Sequence, residues 1–197
     1  MFKDLKITRP SQKEVKRHLK LWYSFENYAL QENSLTKLFT KTYPLNNNFS
    51  DVLIKASALN DLYNTNIYST FTVAKHILTL KIDKDIRKGN LVIVNKIADI
   101  KINSKKRINF YSFATKYCSH HKPMIYPIYD SYVGKTLIYF KKKDNFYNFS
   151  QRDLKTYATY KNILINFKKH YGLEAFNLRQ IDKYLWQVGK KYFSKKY

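Results

Sequence analysis

Residues 111–133 read YSFATKYCSHHKPMIYPIYDSYV, and the division of this stretch decides the fold. Ile108, Tyr111, Ala114 and Cys118 recur at helical spacing, so a helix with Ser104 as its candidate cap runs into it. Pro123 and Pro127 then exclude a helix across HHKPMIYP. Asp130 stands where a helix cap should stand, ahead of Tyr132, Val133, Thr136, Leu137 and Phe140. The frame is therefore helix, proline-containing loop, capped helix.

Working outward, only four Gly and four Pro punctuate the chain, which favours long helices over hairpins. Ser11 and Glu14 form a candidate capping box for a helix over 11–30, with Val15, Leu19, Trp22 and Ala29 at helical spacing. A short helix over 34–41 is expected to stop at Pro44. Ser50 is the expected cap of a helix through Leu62, and another helix runs over 67–80. Leu91 to Val94 reads equally as a short strand or a helix end. After the charged loop KKKDNFYNF, Ser150 opens a long helix carrying Leu154, Tyr157, Leu164, Phe167 and Tyr171, which Gly172 breaks. Leu178, Ile181, Leu185, Val188 and Tyr192 form a last amphipathic helix. No repeat or linker marks a boundary. The expectation is one all-α domain over 1–197, a helical bundle, compatible with two lobes about a cleft near 62–66 and 105–135.

Charge narrows the partner. Against 37 Lys and Arg stand 14 Asp and Glu, a formal net charge of +23. Such an excess attracts polyanions, although a lysine-rich solvated surface alone accounts for a high pI. The single cysteine, Cys118, excludes an internal disulfide and suits a reducing cytoplasm. No signal-like apolar core occurs at the N-terminus, and no window of about 18 residues is apolar enough to span a membrane.

Several chemistries fail on spacing. GKT at 134–136 resembles the end of a phosphate-binding loop, but Tyr129 occupies the position of that loop's first glycine. Cys118, His120 and His121 lack a second pair at metal spacing, so no metal is expected. Only four Glu occur, none in a nuclease pattern, and no Gly-x-Ser-x-Gly elbow is present. Asp130 survives. Free N–H groups and the helix dipole favour an anion at a helix start, so this carboxylate is expected to be ionised at neutral pH. A plain N-cap, worth about 1 kcal/mol, would read the same way.

YSFATKYC followed by YPIYDSYV resembles the helix-hairpin-helix DNA glycosylases of the endonuclease III and 8-oxoguanine glycosylase superfamily. The resemblance rests on Ala114 as the small residue near a helix start and on Pro127, Ile128, Asp130 and Val133 as the second motif, and it spans Asn109 to Leu137. It implies an all-α glycosylase fold and a metal-independent enzyme without cofactor. That enzyme would hydrolyse the N-glycosidic bond of a damaged or modified base, such as a modified cytosine in phage DNA, with Asp130 as catalytic carboxylate. Ser112 stands where lyase-type members carry lysine, which implies a monofunctional enzyme that leaves an abasic site.

The same resemblance places Tyr126, Tyr129, Tyr132, Asn64, Asn66, Ser112, His120 and His121 around a flipped nucleotide. Where the family carries a glycine hairpin, this chain has KKRINFYSF. Phosphate contacts then fall to Lys105, Lys106 and Arg107, joined by Lys116, Lys135, Lys141, Lys142 and Lys143. The expected partner is double-stranded DNA, bound by a cytoplasmic monomer with no obligate protein partner. A non-catalytic nucleic-acid-binding protein on the same scaffold, and a basic toxin or RNA-binding module in which Asp130 is only a cap, are the competing readings.

Overall fold

The computed structural model describes residues 5–102 and 106–194. Among these, ten α-helices account for most of the chain and one two-stranded ribbon is the only sheet. The helical expectation therefore holds. The chain divides into two compact units: Met1–Phe25 together with Tyr129–Tyr197, and Glu26–Ile128.

The first unit holds α1 (Gln12–Ser24), α8 (Ser131–Asp144), α9 (Tyr157–His170) and α10 (Leu178–Phe193). Helix α10 lies at its centre and packs against α8, α1 and α9. Its aliphatic stripe, Leu178, Ile181, Leu185 and Val188, is buried as its spacing requires. Around Phe167 the rings of Phe140, Phe146 and Tyr171 meet at centroid separations of 4.7–5.9 Å, mostly edge or tilted.

The second unit holds α2 (Glu26–Lys37), a π-helical turn (Leu38–Thr42), α3 (Phe49–Tyr63), α4 (Thr70–Leu80), α5 (Asp83–Lys88), α6 (Val92–Ala98) and α7 (Tyr111–His121). Between α6 and α7 lies the ribbon, β1 (Asp99–Lys101) antiparallel to β2 (Arg107–Asn109), with Ile100 opposite Ile108. Helix α3 packs on α4, and α6 on α7. Val52, Ala56, Leu59, Ile77, Ile97 and Phe113 form its apolar centre.

Local chemistry explains where the element boundaries depart from expectation. The helix expected over 11–30 breaks at Phe25, whose backbone is extended (φ −87°, ψ 99°), after Ser24 has turned its hydroxyl onto Leu21 O. Ser11 caps α1 through Glu14 N, but the Glu14 carboxylate turns to Arg17 at 2.7 Å, so the box is only half made. Asn48, not Ser50, caps α3, accepting from Ser50 N and Asp51 N. Leu91 to Val94 resolves as the start of α6, not a strand. Ser104 lies outside the described residues, and α7 begins after the ribbon, at Tyr111. Ser150 binds Asp153 at a 3-10 turn, so α9 begins only at Tyr157. Asn177 and Gln180 complete a capping box at α10 that sequence reading passed over.

One close approach positions α8. A Cβ built on Gly189 of α10 would lie 2.5 Å from Tyr132 O and 2.8 Å from Thr136 Oγ1. Glycine is required there because the α8 backbone occupies the space of a side chain. Beside it, the buried Thr136 hydroxyl sits 2.8 Å from Tyr132 O and 3.2 Å from Leu185 O, so its proton is shared between α8 and α10. Gly189→Ala should therefore destabilise the protein by about 1–3 kcal/mol through overpacking. Urea unfolding followed by tryptophan fluorescence reads this as a lowered midpoint; an unchanged midpoint would remove Gly189 as the constraint on the crossing.

Candidate active site

Asp130 is the N-cap of α8. Its backbone is extended (φ −134°, ψ 156°) and one carboxylate oxygen accepts from Tyr132 N at 2.8 Å. The side chain is only partly buried. A helix start was legible here because Asp precedes the first apolar-periodic residue; the structure adds how the carboxylate is surrounded. Tyr129 is buried, edge-on to Tyr160 at 5.3 Å, with its ring against Gly134. The Lys155 ammonium stands 4.3 Å from the centre of the Tyr129 ring. Burial pushes the Tyr129 phenol up and the Lys155 ammonium down from their ordinary values. Tyr132 is partly exposed, with Lys135 Nζ 5.7 Å from its ring centre and Trp186 edge-on at 6.5 Å. The capping carboxylate is thus flanked in sequence by two tyrosines whose rings are faced by lysine ammonium groups, all within the first unit. Such a group can stabilise positive charge developing beside it or orient a water molecule.

The lysine run at the far end of α8 is differently employed. Lys141 donates to Phe149 O, and Lys143 donates to Ile7 O at 2.9 Å while lying over the Tyr139 ring. These two side chains close loops of their own unit. Lys142 is exposed.

The remaining expected residues lie in the second unit, and several have other employment. Tyr126, expected beside the flipped nucleotide, is wholly buried; its hydroxyl reaches Asn90 O at 3.2 Å and Asp85 O at 3.4 Å, so it serves the core. Asn64 and Asn66 both adopt left-handed backbone (φ 47° and 57°) and are exposed, which is turn chemistry. The loop they belong to is organised by Asn60, whose amide pairs with Ile67 N, Ile67 O and Thr65 Oγ1. Lys116 is buried rather than presented as a phosphate contact. Its ammonium donates to Ser112 Oγ at 2.5 Å, one turn back on α7, and lies over the Tyr63 ring. Tyr63 hydroxyl is 3.1 Å from His120 Nε2. The structure therefore brings Ser112, Lys116 and His120 together around Tyr63. Lys106, just before β2, and Arg107, its first residue, are exposed, and Arg107 pairs with Asp99 at 2.5 Å. Lys105 lies outside the described residues.

His120 and His121 turn to different partners, since His121 belongs to a network that no spacing in the sequence announces. Asn46, buried after Pro44, is its hub. Asn46 Oδ1 accepts from Lys55 Nζ at 2.7 Å and Tyr117 hydroxyl at 2.6 Å; its Nδ2 meets Asp83 Oδ1 at 2.6 Å and His121 Nε2 at 3.2 Å. Asp83 also receives the Asn46 backbone N–H, and Lys55 donates to Leu45 O. Two donors on Oδ1 fix the amide orientation. Nδ2 can then only donate, so His121 accepts as a neutral ring. Burial, reinforced by the Lys55 charge, holds His121 down to about 3, and burial brings Lys55 down to about 8. These partners are 9 to 75 residues apart in sequence.

The family described as HI_0787_N, N-terminal domain, matches residues 14–125. An uncharacterized protein of Haemophilus influenzae is 44% identical over 163 residues, covering 82% of this chain and 78% of that protein. No solved structure matches the chain.

The matched segment contains the whole Asn46 network, and its ionisations set a pH dependence of stability. His121 has a depressed folded value, so its contribution is complete above 6.5 and is lost as pH falls from 6.5 towards about 3, where only the unfolded chain takes the proton. Lys55 is likewise depressed, so stability rises on its account between about 8 and 10.5. Tyr117, raised by burial, opposes it above 10. His121→Gln should flatten the acid limb and Lys55→Met the limb between about 8 and 10. Each slope should change by up to about 1.4 kcal/mol per pH unit in urea titrations across pH. Slopes unchanged from the parent protein would refute the network.

Proposed function

The chain belongs to the HI_0787_N family, and we propose that it is a monofunctional, metal-independent DNA glycosylase-like enzyme. In this reading it removes a damaged or modified base from double-stranded DNA, with Asp130 as the catalytic carboxylate. The observation that carries the reading is the geometry of Asp130: a partly exposed carboxylate fixed at the start of α8 by Tyr132 N, with Lys135 and Lys155 held over the adjoining Tyr132 and Tyr129 rings.

The physical argument is direct. Loss of the base leaves oxocarbenium-like positive charge on the deoxyribose. A carboxylate already oriented by its own helix stabilises that charge more as it grows, which lowers the barrier. The same oxygen pair can orient the attacking water or accept its proton. Flanking ammonium groups supply phosphate attraction through counterion release, with a slope near −0.9 in log K against log salt for each neutralised phosphate. The nucleotide must leave the stack for its bond to be reached.

A second reading is favoured by a separate observation. Tyr126 and Tyr129 are absorbed into packed protein and Lys116 is withdrawn from the surface, so three of the side chains expected to hold DNA do not present themselves to it. That is compatible with a non-catalytic nucleic-acid-binding protein on a glycosylase-like scaffold.

Treatment of plain, damaged and phage-derived modified duplexes, followed by heat and alkali, separates the two. Asp130→Asn should reduce alkali-revealed breakage by about 10²-fold or more while binding stays near the parent value. Equal breakage by parent and variant would remove Asp130 from the chemistry. Binding with no breakage on any duplex would favour the second reading, and strand breaks before alkali would contradict a monofunctional enzyme.

A further inference from the structure

Helix α7 carries a serine and a lysine one turn apart that meet side chain to side chain. Ser112 is the second residue of the helix and is half-buried, while Lys116, further along the same side, is 3% exposed. Lys116 Nζ lies 2.5 Å from Ser112 Oγ. Tyr63 of α3 completes the cluster, with its ring centre 5.2 Å from the Lys116 ammonium. The Tyr63 hydroxyl is in turn 3.1 Å from Nε2 of His120, a buried ring tilted against Phe39 at 5.5 Å. The pair is therefore backed by a ring that is itself held, and all these residues belong to the second unit.

The partner of Lys116 sets it apart from several other bonded lysines. Lys55, Lys122, Lys141 and Lys143 aim at carbonyl oxygens, which can only accept. The Ser112 hydroxyl can also give up a proton. In its ammonium form Lys116 donates to Ser112; with one proton fewer, the same contact reverses and the hydroxyl donates to Nζ. A hydroxyl whose proton is taken by an adjacent amine is an activated nucleophile. The helix start adds a second element. Phe110, the N-cap of α7, has no polar side chain with which to cover the first-turn N–H groups. Those groups point towards the end of the helix at which Ser112 stands, where they favour an oxygen that becomes anionic.

We propose that Ser112 is a nucleophile towards carboxylic esters, with Lys116 as its general base. Oγ bonds to the acyl carbon as its proton passes to neutral Lys116 Nζ, which hands that proton to the departing alkoxide. Water then attacks the acyl-serine, a proton returns through Lys116 to Oγ, and a carboxylic acid leaves. A phosphodiester suits the pair less well. It brings negative charge, and Lys116, buried against Ser112 and Tyr63, is not placed to spread over its oxygens. An acyl carbon is neutral and requires donors only to the one oxyanion that develops. The chemistry is measured without DNA, so its failure and a failure of excision by Asp130 are separate results.

A fluorophosphonate probe traps such a serine, because its phosphorus bonds to Oγ as fluoride leaves. Peptide mass mapping of the labelled full chain should place the adduct on Ser112, and Ser112→Ala should abolish it. Lys116→Arg keeps a cation and a donor beside Ser112 but cannot accept a proton. It should therefore slow both labelling and hydrolysis of para-nitrophenyl acetate by about 10²-fold or more. A lysine with a structural role alone would leave both rates near those of the parent protein. Should arginine disturb the packing, as circular dichroism would reveal, Ser112→Cys gives a second measurement. The introduced thiol should react with iodoacetamide faster than free cysteine at neutral pH, since an adjacent ammonium favours the thiolate. Cys118 stays silent in that assay, being wholly buried with its thiol pushed up by burial. No adduct on Ser112, equal rates in the arginine variant, or an introduced thiol no more reactive than free cysteine would each overturn the proposal.

Discussion

The approach of α8 to α10 at Gly189 is the constraint on which the first unit depends. Removing one side chain lets the Tyr132 carbonyl enter the surface of α10, and the Thr136 hydroxyl then joins the two helices. The start of α8 is thereby held at a fixed depth. Asp130, Tyr132 and Lys135 take their positions from that placement, and so does the edge contact between Tyr132 and Trp186. A backbone contact of this kind tolerates little adjustment, because carbonyl and helix move only together.

The second unit is organised by a polar hub instead. A lysine with no exposed surface is expensive to bury unless its protons find acceptors. Asn46 and Leu45 supply them, and Asn46 in turn ties Tyr117, Asp83 and His121 together. Phe39 and Tyr117 shield the ammonium with their ring faces. The hub pins the segment after Pro44 to α3, α5 and α7. It makes a neutral histidine a condition of the folded state.

Function, in the reading proposed, uses little of the chain's aromatic content. Eighteen tyrosines occur, and many are structural: Tyr117, Tyr126, Tyr157, Tyr160 and Tyr184 are wholly or almost wholly buried. Next to Asp130 in sequence Tyr129 is buried and Tyr132 half-buried, while Lys135 and Lys155 are exposed. The chemistry that remains is electrostatic, a fixed anion within a cationic surface.

The sequence by itself determined the helical class, through scarce Gly and Pro and through apolar spacing, as in the stripe Leu178, Ile181, Leu185, Val188. It also determined the cap at Asp130, because capping depends on a side chain and the amides two or three residues away. Element starts were misread where a second polar residue competed, as with Asn48 against Ser50, or where pairing replaced capping, as at Arg107–Asn109. Only tertiary structure decided that Lys116 is buried against Ser112 and Tyr63, that Tyr126 belongs to the core, and that Lys55 reaches Asn46. The physical reason is range: caps and periodicity act within one or two turns, whereas burial of a charge and the meeting of two rings depend on segments brought together by the whole packed core.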